Sequence, residues 1–198
     1  VPPRNQQQEY VLTSTKADPL ASLGMTGVDV LLPAGVWKIP AVDAATWLKV
    51  LLVEDLDLEA IFPGLCGPQA VFDCNQLLLT GELSEQEVAD AVCDVIEVVS
   101  GRQWWVTLRL CHMFREHWEL IGGALAAHGV SPWGVPLGWW IDAAYYVVVD
   151  RLSQADPQKA ADFTHSLVIP PVTVIRERQD EVSEGNAFLA SMRIAGAM

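Results

Sequence analysis

The sequence predicts a mainly α protein: a single helical-bundle domain with a short N-terminal β-hairpin and flexible N- and C-terminal tails. Three observations lead there. Val88, Ala91, Val92, Val95, Ile96 and Val99 recur at i, i+3, i+4, i+7, i+8 and i+11, the spacing of one buried helical stripe. From Gln103 to about His128 apolar residues cover most of a helix circumference, as in an element central to a core. A hydrophobic fraction of 51% with eight Trp in 198 residues lies far from disordered composition and suits one domain.

The elements follow in order. Residues 1–26 lack periodicity, contain three consecutive Gln and three Pro, and read as a mobile arm. Val28 to Pro40 gives two β-leaning runs separated by Pro33-Ala34-Gly35, which suits a hairpin with Gly35 in an unusual backbone conformation. Two strands alone are marginal, so the hairpin must lie on another element. Asp43 is a candidate N-cap for an apolar helix carrying Trp47, Leu48 and Leu51 and ending near Asp55. A second short helix is expected from Leu56 to Phe62, stopped by Pro63-Gly64. Pro68 and Gly81 bracket the next, with Val71, Phe72, Leu78 and Leu79 as its apolar residues.

Ser84 followed three residues later by Glu87 forms a capping box ahead of the valine-rich stripe. Glu87, Asp90, Asp94 and Glu97 cluster on the side opposite that stripe, either as a solvated face or as a docking surface for a basic partner. Ser100-Gly101 ends this helix. In the helix that follows, Arg109, His112, Glu116 and Glu119 share a polar stripe, while Trp104, Leu108, Leu110, Cys111, Phe114, Trp118 and Ile121 are expected in the core. Trp105 falls on the polar side, where a half-exposed Trp acts as a lid over the hairpin or as an interface anchor. Gly122-Gly123 suggests a close helix approach or a kink.

A further core helix is expected from Leu137 to Leu152, with Trp139, Asp142, Tyr146 and Asp150 on one aromatic and acidic face that meets a partner or hydrogen-bonds across the bundle. Asp156-Pro157 opens a last bundle helix to about His165. The helical domain therefore spans residues 27–167. Residues 168–198 read as an extended Pro170-Pro171 segment and a charged tail with one apolar cluster at Phe188, Leu189 and Met192.

Charge and composition narrow the function classes. With 25 acidic and 12 basic residues the formal charge is −13, which opposes binding to nucleic acid and to anionic membrane and favours basic partners. The most apolar window, Leu137 to Val149, is too short for a spanning helix of about 20 residues and contains Asp142. The first 25 residues lack the basic start, apolar run and small-residue cleavage site of a secretory signal, so export is not expected. Cys66, Cys74, Cys93 and Cys111 form no CxxC pair and are expected as reduced, buried thiols.

No catalytic signature is present. There is no GxSxG, GxxxxGK[ST] or GxGxxG motif, and no cofactor or metal is expected. The string His112 to His117 superficially resembles a zinc-protease helix, but five residues rotate the two imidazoles by about 140°, so they do not share an ion. His112 and Glu116 at i, i+4 form an ordinary surface pair.

Several segments in series carry a resemblance: VWKIPAVDAATWLKVL, EDLDLEAIFPGL, the acidic helix running into GRQWWVTLRL, GWWIDAAYYVVV, and an extended Pro-Pro segment. From about Val28 to Pro171 this order resembles the tail assembly chaperones of long-tailed phages of actinobacteria. The resemblance implies a non-enzymatic protein of the host cytoplasm that binds the long hydrophobic tape-measure protein, keeps it soluble and helps recruit tail-tube subunits; self-association is compatible with it. Glu87, Asp90, Asp94, Glu97, Trp105, Trp139 and Tyr146 are the candidate partner-binding residues. The rival from another class is a structural virion component, a minor tail or connector protein with Trp-rich subunit contacts. Third comes an acidic DNA mimic, for which the carboxylates should trace a phosphate-like spacing rather than cluster on helix faces.

Overall fold

Alternation builds the sheet on which the bundle starts. In the computed structural model, which describes residues 13–14, 27–32, 35–53, 61, 64–172 and 174, strand β2 (Val28–Leu32) turns Val28, Val30 and Leu32 inward and Leu31 outward. It pairs antiparallel with β3 (Gly35–Ile39) in the register Val28↔Ile39 to Leu32↔Gly35. Gly35 has a φ of 136°, the conformation expected of it. The predicted mobile arm supplies a third strand, β1 (Thr13–Ser14), paired with Asp29 and Val28. Two residues carry no readable alternation, which is why composition alone assigned them to a tail.

Helix α1 (Ala44–Leu51) starts at Asp43 and ends earlier than the expected Asp55. The expected helix from Leu56 to Phe62 lies outside the described residues, apart from Ile61, which is buried. Helix α2 (Pro68–Thr80) begins after Gly67 and stops at Gly81 in the left-handed conformation, as the bracketing residues predict. Helix α3 (Glu85–Ser100) has the complete capping box: the Glu87 amide donates to the Ser84 hydroxyl at 3.2 Å, and the Ser84 amide donates to Glu87 Oε2 at 2.9 Å. Its valine stripe packs under β2 and gives the hairpin its support.

The expected single helix from Gln103 to His128 is two, α4 (Trp104–Glu116) and α5 (Trp118–Ala127), broken at His117. His117 has φ −119° and ψ 27°, off the helical values, while its amide closes α4 on Met113 and its carbonyl opens α5 toward Ile121. No Gly or Pro marks that position, so the apolar pattern simply runs through the break. Gly122-Gly123 is not the kink: a methyl group at Gly123 would meet nothing within 4 Å, and at Gly122 only the Trp118 ring in ordinary contact. The close approach is at Gly138 instead, where a Cβ would stand 2.6 Å from the Ser100 carbonyl oxygen.

Helix α6 (Leu137–Ala155) is the centre of the bundle and touches α1, α3, α4, α5 and α7 (Pro157–Val168). Leu137, Trp140, Ile141 and Ala144 form its buried stripe. Trp140 receives Phe114 edge-on at 5.4 Å and stacks with Trp118 at 5.9 Å. Trp118, expected in the core, keeps an exposed side while stacking on that buried indole. Helix α7 continues to Val168, beyond His165, because Arg109 Nη1 donates to the carbonyls of Ser166, Leu167 and Ile169 at 2.9, 3.1 and 2.6 Å and satisfies its C-terminus. The segment after it is not extended throughout: Val172 and Val174 are helical, and Val174 packs on the buried cluster although Val172 is exposed. Among the described residues no helix is long and apolar enough to cross a membrane. The four cysteines are thiols rather than disulfides; Cys74 and Cys111 are buried as expected, whereas Cys66 and Cys93 are only half-buried.

Candidate interaction site

The acidic stripe of α3 is less available than its sequence suggests. Glu87 is held by Ser84, whose hydroxyl also donates to Glu87 Oε2 at 2.7 Å. Glu97 Oε1 accepts from the Trp104 amide at 3.1 Å, so this carboxylate caps the N-terminus of α4, which has no capping side chain at Gln103. Asp90 is exposed and takes only a same-helix bond from Gln86. Asp94 is half-buried and engaged within the molecule. Two of the four predicted docking carboxylates therefore stabilise helix ends, and Asp90 is the most accessible of the set.

Trp105 is a correction. It is 5% exposed and belongs to the core, with its indole nitrogen buried and without a hydrogen-bond partner among the described residues. The projection placed it beside Arg109, His112 and Glu116; that side of α4 is covered by α7, whose end Arg109 caps, and so is not a solvent face at its N-terminal half. Trp104, expected in the core, is the half-buried member of the pair and meets Trp105 edge-on at 5.7 Å.

On α6, the side that carries Trp139 and Tyr146 is open to solvent. Trp139 and Tyr146 are 51% and 70% exposed and stand seven residues apart, two turns along one side of the helix, about 10 Å. Between them Asp142 accepts from Arg102 Nε at 2.8 Å and Nη2 at 2.6 Å. The guanidinium also lies 5.0 Å from the Tyr145 ring. This clamp fixes the α3–α4 turn to α6. Beneath it, the Thr107 hydroxyl donates to Ser100 Oγ at 2.8 Å, and Ser100 also accepts from the Arg102 amide. The aromatic face thus flanks the contact that ties the α3–α4 turn to α6.

A second apolar surface was missed. On α2, Phe72 and Leu79 are 60% and 80% exposed and stand seven residues apart on one side, with Val71 beside them. Cys74 is the buried residue of this helix, and Leu77 and Leu78 pack only partly. The available signal was the run Leu77-Leu78-Leu79, which occupies three directions on a helix and cannot all face one core.

At the α1 end, the connector after α5 docks on the helix N-terminus. The Ala44 and Ala45 amides donate to the carbonyls of Val135 and Pro132 at 2.8 and 3.0 Å. Asp43 accepts from the Thr46 amide and hydroxyl and, across the chain, from the Gly134 amide at 3.0 Å. Burial opposes ionisation of Asp43, but these donors and the charge of Lys49 outweigh it and hold the carboxyl below its usual range. Lys49 Nζ also sits 5.5 Å from the ring of the exposed Trp133.

None of these groups forms a nucleophile–base pair. His112 Nε2 meets Glu116 Oε1 at 3.3 Å and Arg115 approaches its other nitrogen, while His117 sits at the break between α4 and α5. Burial pushes the Cys111 thiol up to about 12, which keeps it protonated and unreactive at neutral pH. The chain matches no protein-family model, no curated protein and no solved structure.

Proposed function

We propose that this chain is a tail assembly chaperone, which binds the long hydrophobic tape-measure protein of a phage, keeps it soluble in the host cytoplasm and helps bring tail-tube subunits to it. The observation that carries the reading is the pair of exposed apolar faces, Phe72 with Leu79 on α2 and Trp139 with Tyr146 on α6, on a chain of formal charge −13. Exposed aromatic and aliphatic side chains can cover apolar client segments, and a strong net charge keeps the complex from aggregating. The sequence resemblance between about Val28 and Pro171 supplies the identity of the client. In this reading the acidic stripe of α3 attracts basic stretches of the client chiefly through Asp90.

Co-expression with the tape-measure protein of the same genome tests the reading. Client that becomes soluble only alongside this chain, co-elutes with it, and is found without it in purified particles supports a chaperone. Retention in the particles would instead establish the virion-component alternative.

A further inference from the structure

A pocket of about 410 Å³ opens between α4, α5, α6 and α7, with an apolar wall formed by Met113, Ile121, Val147, Val148, Leu152 and Phe163. Leu120, His117 and Arg151 complete the lining and are exposed, so they mark its mouth. The volume falls in the range of small-molecule sites, about 300 to 1,000 Å³. An apolar cavity of roughly 150 Å³ already holds a benzene ring. The pocket therefore has room for a flexible aliphatic chain. The helix break at His117 forms part of the wall and separates the α4 contribution from that of α5.

The polarity at the mouth is opposite to that of the molecule. Both ionisable lining groups are basic types, and no carboxylate lines the pocket of a chain with 25 acidic residues. Arg102, Arg109 and Arg115 each donate to an acceptor within the fold. Arg151 is the described arginine that makes no hydrogen bond or ion pair with any described residue, and the His117 ring likewise has no such partner. Of the acidic residues immediately beside them in sequence, Glu116 meets His112 and Asp150 accepts from Gln154. A guanidinium at the mouth of an apolar pocket, with no ion-pair partner among the described residues, matches a carboxylate at the end of an apolar body, through two parallel charge-assisted bonds.

We propose that the α4–α7 pocket binds a monoanionic aliphatic carboxylate, its chain on Ile121, Val148 and Phe163 and its carboxylate on Arg151, with His117 as a second donor. This site is separate from the exposed faces of α2 and α6 and does not depend on the chaperone reading. Its charge preference is also the reverse of a surface that attracts basic client segments.

Isothermal titration of the full chain with dodecanoate, dodecanol and dodecyltrimethylammonium, each below its micelle concentration, tests it. Dodecanoate should bind with one-to-one stoichiometry, about tenfold or more tighter than dodecanol, the discrimination expected of one charge-assisted contact. The cationic amphiphile should bind weakest. Arg151→Gln should abolish the preference for carboxylate while leaving dodecanol unchanged, and Lys159→Gln, a cation outside the pocket, should change neither. Leu120→Asp, at an exposed position that the fold does not need, should weaken dodecanoate selectively, and Val148→Trp should block all three ligands by filling the pocket. Equal affinity for the three amphiphiles, multiple weak sites, no binding of dodecanoate, or an Arg151→Gln variant with undiminished preference would each overturn the assignment.

Discussion

Replacing Gly138 by Ala is the sharpest probe of how α6 sits on α3. The added methyl carbon would stand 2.6 Å from the Ser100 carbonyl oxygen and 3.1 Å from its carbon, and both atoms are backbone. No side-chain rotation relieves that contact; α6 must move away from the end of α3. Helix propensity alone favours Ala over Gly by up to about 1 kcal/mol. Overpacking a close contact costs about 1 to 3 kcal/mol, and displacement would also strain the Arg102–Asp142 clamp and the buried Ser100–Thr107 bond. The net expectation is a destabilisation of about 1 to 2 kcal/mol. For a chain of this size that is a fall in Tm of roughly 2 to 8 °C. Gly123→Ala is the internal control, because its Cβ meets nothing within 4 Å and the residue is exposed in α5. It should be neutral or stabilising by up to about 1 kcal/mol. Urea unfolding followed by tryptophan fluorescence and circular dichroism reads both. A Gly138→Ala protein at least as stable as wild type would refute the close approach of α6 to α3.

Other expectations follow from the same geometry. Trp105→Ala should cost about 3 to 5 kcal/mol as a large core truncation, and Trp104→Ala clearly less, which equilibrium unfolding of the two variants compares. Ser84→Ala should lose about 0.5 to 2 kcal/mol by opening the capping box, seen as a lower urea midpoint with an unchanged slope. Raising the pH from about 9 toward 12 should destabilise the fold: the native Cys111 thiol stays protonated while the unfolded one ionises near 9.0, so its stabilisation is complete below that value and is lost as pH climbs through the window. Cys111→Ala should flatten that part of the stability curve. Reversing Glu87, Asp90, Asp94 and Glu97 to Lys together should reduce helical stability as well as client attraction, because Glu87 and Glu97 cap helices; Asp90→Lys alone should leave the melting curve unchanged and weaken only association at low salt.

The local chemistry of the chain was legible where one residue type has one structural use. Ser84 with Glu87, Gly81, Gly35 and Asp43 all signal their roles through side-chain reach or backbone freedom, and each occupies the predicted position. The valine stripe of α3 was equally plain, since it faces a single direction. Positions decided by neighbours were not. Trp105 was placed by a projection that treats the whole of α4 alike, although α7 covers one end of its polar side. The break at His117 has no sequence marker because both flanking helices are apolar enough to continue the pattern. The acidic stripe gave its composition but not its commitments, since the Trp104 amide that Glu97 caps belongs to the next helix. The shared exposed side of Trp139 and Tyr146 was readable because α6 runs unbroken from Leu137 to Ala155. The pocket beside Arg151 was hidden, as its walls come from four helices whose mutual placement no spacing rule provides.

The central claim is that the exposed faces of α2 and α6 hold an apolar client, and its most direct test is a solubility measurement on a surface variant. Phe72, Leu79, Trp139 and Tyr146 are replaced by Ser, and the variant is co-expressed with the tape-measure protein beside the wild-type chain. The account predicts a variant that melts like wild type but leaves the client in the insoluble fraction. A variant that folds and still keeps the client soluble would contradict it.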